Sequence, residues 1–432
     1  MQNVRIIPSS LNGSINIPPS KSQSHRAIIC AGLSKGTSCI ENVIFSEDIL
    51  ATIEGMKAFG MEVVNICTDE ETKRSSIVIE GKGYIKKLKR IIDCRESGST
   101  LRFLIPISCL TGEKITFIGK GKLAERPLSS YYKIFNSQGI KYSNCNGNLP
   151  LTIEGLLKPD SFKIEGNISS QFITGLMFAL PLLSGDSIIE ITTNLESKGY
   201  VDLTLDMLNK FSIRIINDDY KKFYIPGNQV YVPVNYKVEG DFSQAAFWIV
   251  SGILGGNIYL KDLSLNSLQG DKEILNIVTE MGANIICEDD YIKVTESRTK
   301  GAIIDASQCP DLVPVLAVLG ALSKGRTEII NAQRVRIKES DRLSAISSEL
   351  NKIGADITET EYGLIINGVD SFSGGVVDSW NDHRIAMALA VASIRCKEPL
   401  IIRNSGAVNK SYPGFWQDFI RLGGVIDEWN VG

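Results

Sequence analysis

The chain has 432 residues, of which 43% are hydrophobic and 22% charged, and its formal net charge at pH 7 is −3. This length is enough for two or three domains, and the composition is that of a soluble globular protein. A net charge this small gives no general attraction to nucleic acid or anionic membranes, so neither is expected as a partner.

The N-terminal residues, MQNVRIIPSS, lack the apolar stretch of a signal peptide. The longest apolar run, residues 312–322, is too short to span a bilayer and contains a proline. We therefore expect a cytoplasmic protein. The nine cysteines include no CxxC pair, and His25 and His383 are the only histidines, so we expect no disulfide framework, no metal and no cofactor.

Residues 17–27, IPPSKSQSHRA, are unusual as the start of a helix. Serines are ordinary helix caps, but Lys21 and Arg26 oppose the partial positive charge of a helix N-terminus. A phosphate or carboxylate bound between these cations would turn repulsion into attraction. We therefore expect an anion site here, and a segment that is strained until the anion binds.

The chain contains six copies of one pattern, which we interpret as a βαβαββ unit. Each copy has a first helix of small apolar residues, a turn, a short strand, a second helix and further strands. The turn after the first helix is marked by residues that are 76, 73, 70, 70 and 72 positions apart: Gly36, Gly112, Gly185, Gly255, Gly325 and Lys397.

The first and second helices of the repeats differ in their apolar patterns. FITGLMFALPLL and LVPVLAVLGAL are apolar on every side, which predicts helices buried all round. DILATIEGMKAFG has one apolar face, which predicts a helix lying on a sheet. The fold class we expect is α/β, in the form of an inside-out α/β barrel with buried helices and outer sheets.

We place the domain boundary within residues 225–241, between the third and fourth copies. The expected domains are residues 19–236 and residues 1–18 plus 237–432, with three repeats in each. If the repeats pack symmetrically, the first helices of both domains begin at one interdomain cleft. That cleft is where we expect the active site, because helix N-termini attract anions.

Polar residues recur at the start of the first helix in every copy: Lys21–Ser22–Arg26, Ser99–Thr100–Arg102, Ser169–Ser170–Gln171, Asp241–Ser243, Asp311 and Asp382–His383–Arg384. More cations lie in connecting segments: Arg126, Lys338, Arg342 and Lys410. Asp311 and Glu339 are the candidate proton-transfer groups among them. Such a set suits two small anionic substrates and a proton transfer that needs no metal.

Each motif taken alone also has an ordinary structural interpretation. SSQF, KESDR and NDHR are typical helix caps, and Asp311 after a proline is a routine helix-start residue. Gly98 in ESGST could serve only a turn. The binding interpretation is favoured because arginines and lysines accompany these caps at one repeated position.

The combined motifs resemble one family over nearly the whole chain and in the same order. They are PPSKSQSHRAIICAGLSKG, ESGSTLRF, ERPL, GNISSQF, ESKGYVDLTLDML, RIKESDRL, NDHRIAMALAVA and VNKSYP. The set is similar to the 5-enolpyruvylshikimate-3-phosphate synthase (3-phosphoshikimate 1-carboxyvinyltransferase) family. The resemblance implies two domains of three repeats, a monomer without a cofactor, and transfer of enolpyruvate from phosphoenolpyruvate to the 5-hydroxyl of shikimate 3-phosphate, in chorismate and aromatic amino acid biosynthesis.

The resemblance also implies roles for individual residues. Shikimate 3-phosphate would be bound by Lys21, Ser22, Arg26, Ser169, Ser170, Gln171, Ser197, Tyr200, Asp311 and Lys338. Phosphoenolpyruvate would be bound by Lys21, Gly98, Arg126, Gln171, Arg342, Arg384 and Lys410. Asp311 would accept the 5-hydroxyl proton, and Glu339 would exchange a proton at the methylene carbon, with Lys21 and either His383 or Lys410 nearby.

Two positions depart from the family pattern, because Glu96 and Arg334 stand where many relatives have asparagine. Contacts to either substrate, and to the competitor glyphosate, are left open at these positions. The nearest alternative is the sister family that transfers enolpyruvate to UDP-N-acetylglucosamine, but residues 119–128, GKGKLAERPL, lack the cysteine usual there. A non-catalytic phosphometabolite or RNA-end binder is another alternative, which Asp311 beside Glu339 argues against.

Overall fold

The computed structural model describes residues 2–70 and 72–430, with the side chains of 427–430 excepted. The chain divides into two compact units. The central unit is Pro19–Val238, and the terminal unit combines the residues up to Pro18 with those from Glu239 onward. The chain therefore passes between the units twice, at Pro18–Pro19 and at Val238–Glu239.

The strands of the first half of the chain are β1 (Gln2–Ile7), β2 (Leu11–Asn16), β3 (Lys35–Val43), β4 (Glu62–Thr68), β5 (Ser75–Lys82), β6 (Ile91–Asp93), β7 (Ile115–Ile118), β8 (Lys141–Cys145), β9 (Asn148–Glu154), β10 (Ser161–Ile164), β11 (Ser187–Ile191), β12 (Ile216–Asp218) and β13 (Lys222–Ile225). Those that follow are β14 (Tyr236–Lys237), β15 (Gly256–Lys261), β16 (Asn284–Cys287), β17 (Tyr291–Thr295), β18 (Ile303–Asp305), β19 (Arg326–Ile330), β20 (Asp356–Thr360), β21 (Gly363–Asn367), β22 (Gly375–Asp378), β23 (Leu400–Arg403) and β24 (Val425–Asn430).

The α-helices are α1 (Lys21–Leu33), α2 (Glu47–Lys57), α3 (Gly98–Ser108), α4 (Ser129–Gln138), α5 (Ser170–Ala179), α6 (Lys198–Lys210), α7 (Phe242–Gly255), α8 (Ile274–Glu280), α9 (Val313–Ala321), α10 (Arg342–Lys352), α11 (His383–Ala392) and α12 (Phe415–Arg421). Single 3₁₀ turns precede some of them, including Gly121–Glu125, Gly270–Glu273, Pro310–Leu312 and Ser405–Lys410. None of the helices in the described part of the chain is long and apolar enough to cross a membrane.

The central unit contains three four-stranded sheets, ordered β14-β3-β5-β4, β6-β7-β9-β8 and β10-β11-β13-β12. In each sheet the first two strands are parallel and the others antiparallel. A buried helix connects the parallel pair β6–β7 and the pair β10–β11, as such a crossover requires. In the first repeat the parallel partner of β3 is β14, from the far end of the unit.

The terminal unit repeats this plan in the sheets β16-β17-β15-β2, β18-β19-β21-β20 and β22-β23-β1-β24. The two N-terminal strands complete two of these sheets, because β2 pairs in parallel with β15 and β1 pairs with both β23 and β24. The predicted α/β fold, with three βαβαββ repeats in each half, is confirmed. Among the described residues each repeat keeps its own four-stranded sheet.

The first helices of the repeats form the core of each unit. Every residue of α7, α9 and α11 is buried, and these three helices contact one another. In the central unit α1, α3 and α5 are buried except for one or two residues at their N-terminal ends. The exceptions are polar, so the polar groups at each helix start are accessible to solvent while the rest of the helix packs in the core.

Candidate active site

The three buried helices of the central unit begin in the same way, each capped by a serine. Ser20 accepts a hydrogen bond from the backbone N–H of Gln23, Ser97 from that of Thr100, and Ser169 from that of Gln171. A serine at this position satisfies one of the N–H groups that a helix start leaves without an intrahelical partner. The predicted motifs at Lys21, Gly98 and Ser170 therefore do begin helices.

Arg26 connects the start of α1 to the start of α6. Its guanidinium donates to the Thr204 hydroxyl at 2.9 Å, to the Tyr200 carbonyl at 3.0 Å and to the Ser22 carbonyl at 2.7 Å, and it lies over the Phe103 ring. Burial lowers the pKa of Arg26 to about 10, which still leaves it charged at neutral pH. A buried cation held by neutral oxygens is ready to bind an anion.

Lys21 corrects part of the sequence interpretation. Its ammonium lies 2.8 Å from a carboxylate oxygen of Asp48, in the first turn of α2. The idea that the cations of this helix start stay uncompensated until a ligand binds is therefore wrong for Lys21. The sequence analysis missed Asp48, although Ser46–Glu47–Asp48 is an acidic helix start of the same repeat.

A second group of polar residues surrounds the start of α3. Arg102 donates to the Gln171 side-chain oxygen at 2.7 Å, and the Gln171 amide donates to Ser99 at 3.0 Å. A β-carbon placed on Gly98 would lie 2.7 Å from a guanidinium nitrogen of Arg126. A side chain at this position would therefore displace the Arg126 guanidinium from its place beside the α3 backbone.

The serines predicted to bind shikimate 3-phosphate lie at the starts of α5 and α6. Ser169 caps α5 and Ser170 is its first residue. Ser197 caps α6 in the left-handed backbone region at φ +56° and is 2% exposed. Tyr200 follows in the first turn of α6, with its carbonyl bonded to Arg26.

In the terminal unit, Asp311 lies among three cations. Its carboxylate accepts from Arg342 at 2.8 Å and from Arg384 at 3.1 Å, and the Lys338 ammonium is 3.7 Å away. Burial raises the pKa of Asp311, but Arg384, Lys338 and Arg342 outweigh it and hold the pKa well below its ordinary value. Asp311 is therefore ionised at neutral pH.

Arg342 is bound by three carboxylates. Besides Asp311, it donates to Glu339 at 2.6 Å and to Asp382 at 2.8 Å. Burial lowers the pKa of Arg342, but these three carboxylates outweigh that effect and raise it. Its side chain is 1% exposed and holds Asp311 and Glu339 in place, whereas the side chains of Arg384 and Lys338 are more exposed.

Lys410 lies at the end of a 3₁₀ turn and donates to the Asn381 carbonyl at 2.6 Å. Asn381 and Trp380 both have φ of +53°, a strained conformation for side-chain-bearing residues. The strained pair immediately precedes Asp382, which caps α11 and accepts from the backbone N–H of Arg384. His383 is 2% exposed and lies 3.8 Å from Asp382.

Asp271 was also missed by the sequence analysis. It is 3% exposed, in a 3₁₀ turn, and accepts a hydrogen bond from the Ser243 hydroxyl at the start of α7. Burial, with a contribution from the charge of Asp311, raises the pKa of Asp271 to about 6. A single aspartate in a short turn leaves no periodic signal in the sequence.

The two departures from the family pattern have clear positions. A Glu96 oxygen lies 2.8 Å from where a β-carbon on Gly121 would be, so Glu96 lies against the turn that leads to Arg126. Arg334 is 8% exposed and donates to the Ser307 carbonyl at 2.9 Å. No group of three or more His, Cys, Asp or Glu side chains within residues 2–70 and 72–430 could hold a metal ion.

The predicted site residues thus fall into sets within each unit. Lys21, Ser22, Arg26, Gly98, Arg126, Ser169, Ser170, Gln171, Ser197 and Tyr200 belong to the central unit, and Asp311, Lys338, Glu339, Arg342, Arg384 and Lys410 to the terminal unit. The central set is cationic and rich in hydroxyls, whereas the terminal set pairs cations with carboxylates. The first set suits anion binding and the second suits proton transfer.

Comparison with known proteins gives a consistent result. A family model described as EPSP synthase (3-phosphoshikimate 1-carboxyvinyltransferase) matches residues 6–419. The chain is 61% identical to a 3-phosphoshikimate 1-carboxyvinyltransferase of Clostridium novyi (strain NT), with all of both chains covered. It is 57% identical to one of Clostridium perfringens (strain SM101), covering 99% of this chain and 100% of that one.

Solved structures show the same fold. An EPSP synthase from Acinetobacter baumannii superimposes with a TM-score of 0.82 at 25% identity and covers 100% of both chains. The enolpyruvyl transferase NikO from Streptomyces tendae gives a TM-score of 0.80 at 14% identity, covering 100% of this chain and 99% of that one. At such low identity the second likeness concerns the fold alone.

Proposed function

The chain belongs to the EPSP synthase (3-phosphoshikimate 1-carboxyvinyltransferase) family, and we propose that it transfers the enolpyruvyl group of phosphoenolpyruvate to the 5-hydroxyl of shikimate 3-phosphate. Inorganic phosphate is the second product. The observation that carries the proposal is Asp311, a carboxylate kept ionised among Arg384, Lys338 and Arg342. A base surrounded by cations is what a reaction between two anions through a hydroxyl requires.

Shikimate 3-phosphate is bound mainly by the central unit in this proposal. Arg26 and Ser22 at the start of α1, and the serines at the starts of α5 and α6, hold the phosphate and ring hydroxyls. The set is Lys21, Ser22, Arg26, Ser169, Ser170, Gln171, Ser197 and Tyr200, with Asp311 and Lys338 from the terminal unit. Free N–H groups at the helix starts add to the attraction of the phosphate.

Phosphoenolpyruvate is bound by cations of both units. Its carboxylate and phosphate engage Lys21, Gly98, Arg126, Gln171, Arg342, Arg384 and Lys410. Arginine suits both groups because its guanidinium makes paired hydrogen bonds to carboxylate or phosphate oxygens. The absence of a side chain at Gly98 leaves room for the Arg126 guanidinium beside the α3 backbone.

The reaction follows as addition and then elimination. A proton added to the methylene carbon, by Glu339 or Lys21, makes the neighbouring carbon electrophilic, and the 5-hydroxyl oxygen attacks that carbon while its proton passes to Asp311. A tetrahedral intermediate results. The group that protonated the methylene carbon then takes a proton back from the new methyl group, the C–O bond to phosphate breaks, and the double bond reforms. The hydroxyl proton passes from Asp311 to the departing phosphate, and no electrons are gained or lost overall.

The charge of the substrates also adjusts Asp311. Arg384, Lys338 and Arg342 lower the pKa of this carboxyl, which makes it a weak base. Anions that engage Arg384 and Lys338 would reduce this effect and raise the Asp311 pKa. Asp311 would then become a better base when both substrates are bound.

We further infer that the residue sets of both units act on the same pair of substrates and that the chain acts as a cytoplasmic monomer. The division of the site residues between the units supports this joint action, because neither set alone contains both the anion-binding serines and the proton-transfer pair. The near-neutral net charge supports the absence of nucleic-acid and membrane partners. Light scattering at assay concentrations would give the mass of one chain.

The test is release of inorganic phosphate from phosphoenolpyruvate by the purified chain. We expect release that depends on shikimate 3-phosphate and that is absent with UDP-N-acetylglucosamine. Mass spectrometry should find the enolpyruvyl ether of shikimate 3-phosphate in equal amount. Phosphate release with UDP-N-acetylglucosamine alone would assign the chain to the sister reaction, and release with neither acceptor would contradict both.

A further inference from the structure

A buried chain of hydrogen-bonded side chains connects three helices of the central unit. The His25 Nδ1 of α1 lies 2.7 Å from the Thr52 hydroxyl of α2, which lies 2.6 Å from the Thr100 hydroxyl of α3. Thr100 donates in turn to the Ser97 hydroxyl at 2.8 Å. All four side chains are 0% exposed, and none of them is among the proposed substrate contacts.

The hydrogen bonds of this chain have one consistent direction. Each hydroxyl has a single hydrogen. Thr100 directs its hydrogen to Ser97 at 2.8 Å, with the Asp48 carbonyl as a second acceptor at 3.4 Å, so Thr100 accepts from Thr52. Thr52 must then accept from His25, which therefore carries its proton on Nδ1. Burial, with Lys21 and Arg26 adding to it, holds the pKa of His25 well below its ordinary value and keeps the ring neutral.

Ser97, the last of these hydrogen-bonded residues, fixes the start of α3. Ser97 accepts both from the Thr100 hydroxyl and from the Thr100 backbone N–H, so it is the cap of the helix as well as the end of the chain. The next residue is Gly98, which the Arg126 guanidinium approaches closely. A small shift of this helix start would therefore change the space in which Arg126 and its ligand lie.

The start of α1, at the His25 end of these hydrogen bonds, is held in place by other contacts. α1 is tied to α6 by Arg26 through Thr204 and Tyr200, and its Lys21 is tied to α2 by Asp48. The Arg26 bonds do not involve Thr52 or Thr100, and the Asp48 carboxylate that holds Lys21 is separate from the Asp48 carbonyl, which accepts from Thr100 at 3.4 Å. Loss of a threonine hydroxyl should therefore displace the start of α3 more than the side of the site that holds shikimate 3-phosphate.

We propose that Thr52 and Thr100 are positioning residues that hold the start of α3, with Gly98, in the geometry that phosphoenolpyruvate requires. This inference rests on the proposed function. Neither threonine touches a substrate. Their contribution is to keep two helix starts, one for each substrate, at a fixed separation, because misplacement by about 1 Å can cost on the order of a hundred-fold in rate.

The test compares the steady-state kinetics of T52V and T100V with wild type. Valine keeps the shape of threonine but removes the hydroxyl. We expect KM for phosphoenolpyruvate to rise on the order of ten-fold, with KM for shikimate 3-phosphate within about two-fold of wild type. T52S keeps the hydroxyl and should restore KM. The double variant T52V/T100V should raise KM for phosphoenolpyruvate by less than the two single effects combined, because both substitutions break the same row of hydrogen bonds.

Thr327 supplies the matched control. It is also 0% exposed, but its hydroxyl has no hydrogen-bond partner in the described part of the chain and it lies on β19 of the terminal unit. T327V should leave both KM values unchanged. Equal rises of both KM values in T52V, or no change in either while wild type is active, would overturn the inference. An inactive wild type would instead refute the proposed function.

Nuclear magnetic resonance of the wild-type protein tests the direction of these hydrogen bonds even if the valine variants do not fold. His25 and His383 are the only histidines, so a spectrum of ¹⁵N-histidine-labelled protein contains only two rings. We expect one ring to stay neutral through the physiological pH range with its proton on Nδ1, and to change in T52S less than in T52V. A proton on Nε2 of His25 would overturn the inferred direction.

Discussion

Asp311 shows how a few residues set the chemistry of the terminal unit. Burial alone would raise the pKa of its carboxyl, and three cations reverse that effect. Arg342 is in turn held by Glu339 and Asp382, so the positive charge beside Asp311 is fixed in position by further carboxylates. Such preorganised charge costs no rearrangement when the substrate reacts.

We expect D311N to lower turnover by about 10²–10⁴-fold, the range typical of a general acid–base group. Asparagine keeps the size of the side chain but cannot accept the 5-hydroxyl proton. Binding of shikimate 3-phosphate, measured by calorimetry, should remain. D305N is the matched control. Asp305 lies six residues earlier, on β18, and its carboxylate accepts hydrogen bonds from the Ser307 backbone N–H and the Asn331 side chain. Turnover close to wild type in D311N would remove Asp311 from its proposed role.

R126A tests whether Arg126 binds phosphoenolpyruvate rather than shikimate 3-phosphate. Loss of a charge-assisted hydrogen bond costs about 1.5–3 kcal/mol, or roughly 10- to 150-fold in affinity. We expect KM for phosphoenolpyruvate to rise by this factor and KM for shikimate 3-phosphate to rise much less. Lys122, exposed and paired with Glu125 in the same turn, gives the control K122A. Equal losses for both substrates would show that Arg126 is wrongly assigned.

Sequence reasoning at the scale of residues found the groups at helix starts and missed their partners. Lys21, Arg26 and Asp311 stand in recurring motifs, which a single sequence reveals. Asp48 and Asp271 lie outside the recurring motifs, and their importance comes from neighbours more than twenty residues away. The charge compensation of Lys21 was therefore invisible until the helices were placed together.

At the scale of elements, the repeat was predictable because its signal is long and periodic. Wholly apolar helices such as α9 are buried on every side, as expected. Gly112 and Gly325, two of the residues that mark the turns after the first helices, lie in those turns with φ of +68° and +93°. Gly255 is instead the last residue of α7, and Gly36 lies in β3. The spacing located these turns, but the ends of the helices depend on caps such as Ser34, which local pattern does not single out.

The start of α7 and the turn beside it predict a dependence of stability on pH. Asp271 has its pKa raised from an ordinary 3.8 to about 6, and it faces Ser243, Asp241, Asp311 and Arg384. Between these values the folded protein keeps a proton that the unfolded chain releases. The free energy of unfolding therefore falls as pH rises from about 4 to about 6, by on the order of 3 kcal/mol.

D271N removes this titration. We expect the variant to lose less stability than wild type between pH 4 and 6, measured as the midpoint of thermal unfolding, and to be at least as stable at pH 7. Asp311 acts in the opposite direction, since its lowered pKa gives stability that is lost only below about pH 4. The two effects thus occupy different pH ranges. Parallel curves for variant and wild type from pH 4 to 6 would contradict this assignment.

At the scale of the whole molecule, the central and terminal units are joined by two chain crossings, at Pro18–Pro19 and Val238–Glu239. Both units carry cations for the proposed substrates, with Arg26 and Arg126 in one and Arg384 and Lys410 in the other. In the proposed function, an anion bound by cations of both units offsets the repulsion among those cations.

We therefore expect shikimate 3-phosphate to draw the two units together, and small-angle X-ray scattering to show a smaller radius of gyration when it is added. Phosphoenolpyruvate added afterwards should not reverse the change. Shikimate without its phosphate should have little effect, and R26A should respond only at higher ligand concentrations, because the attraction comes from the phosphate charge. High salt should weaken the response by screening. An unchanged radius at saturating shikimate 3-phosphate would mean that ligand charge does not close the molecule, and closure would then have to come from contacts made after both substrates bind.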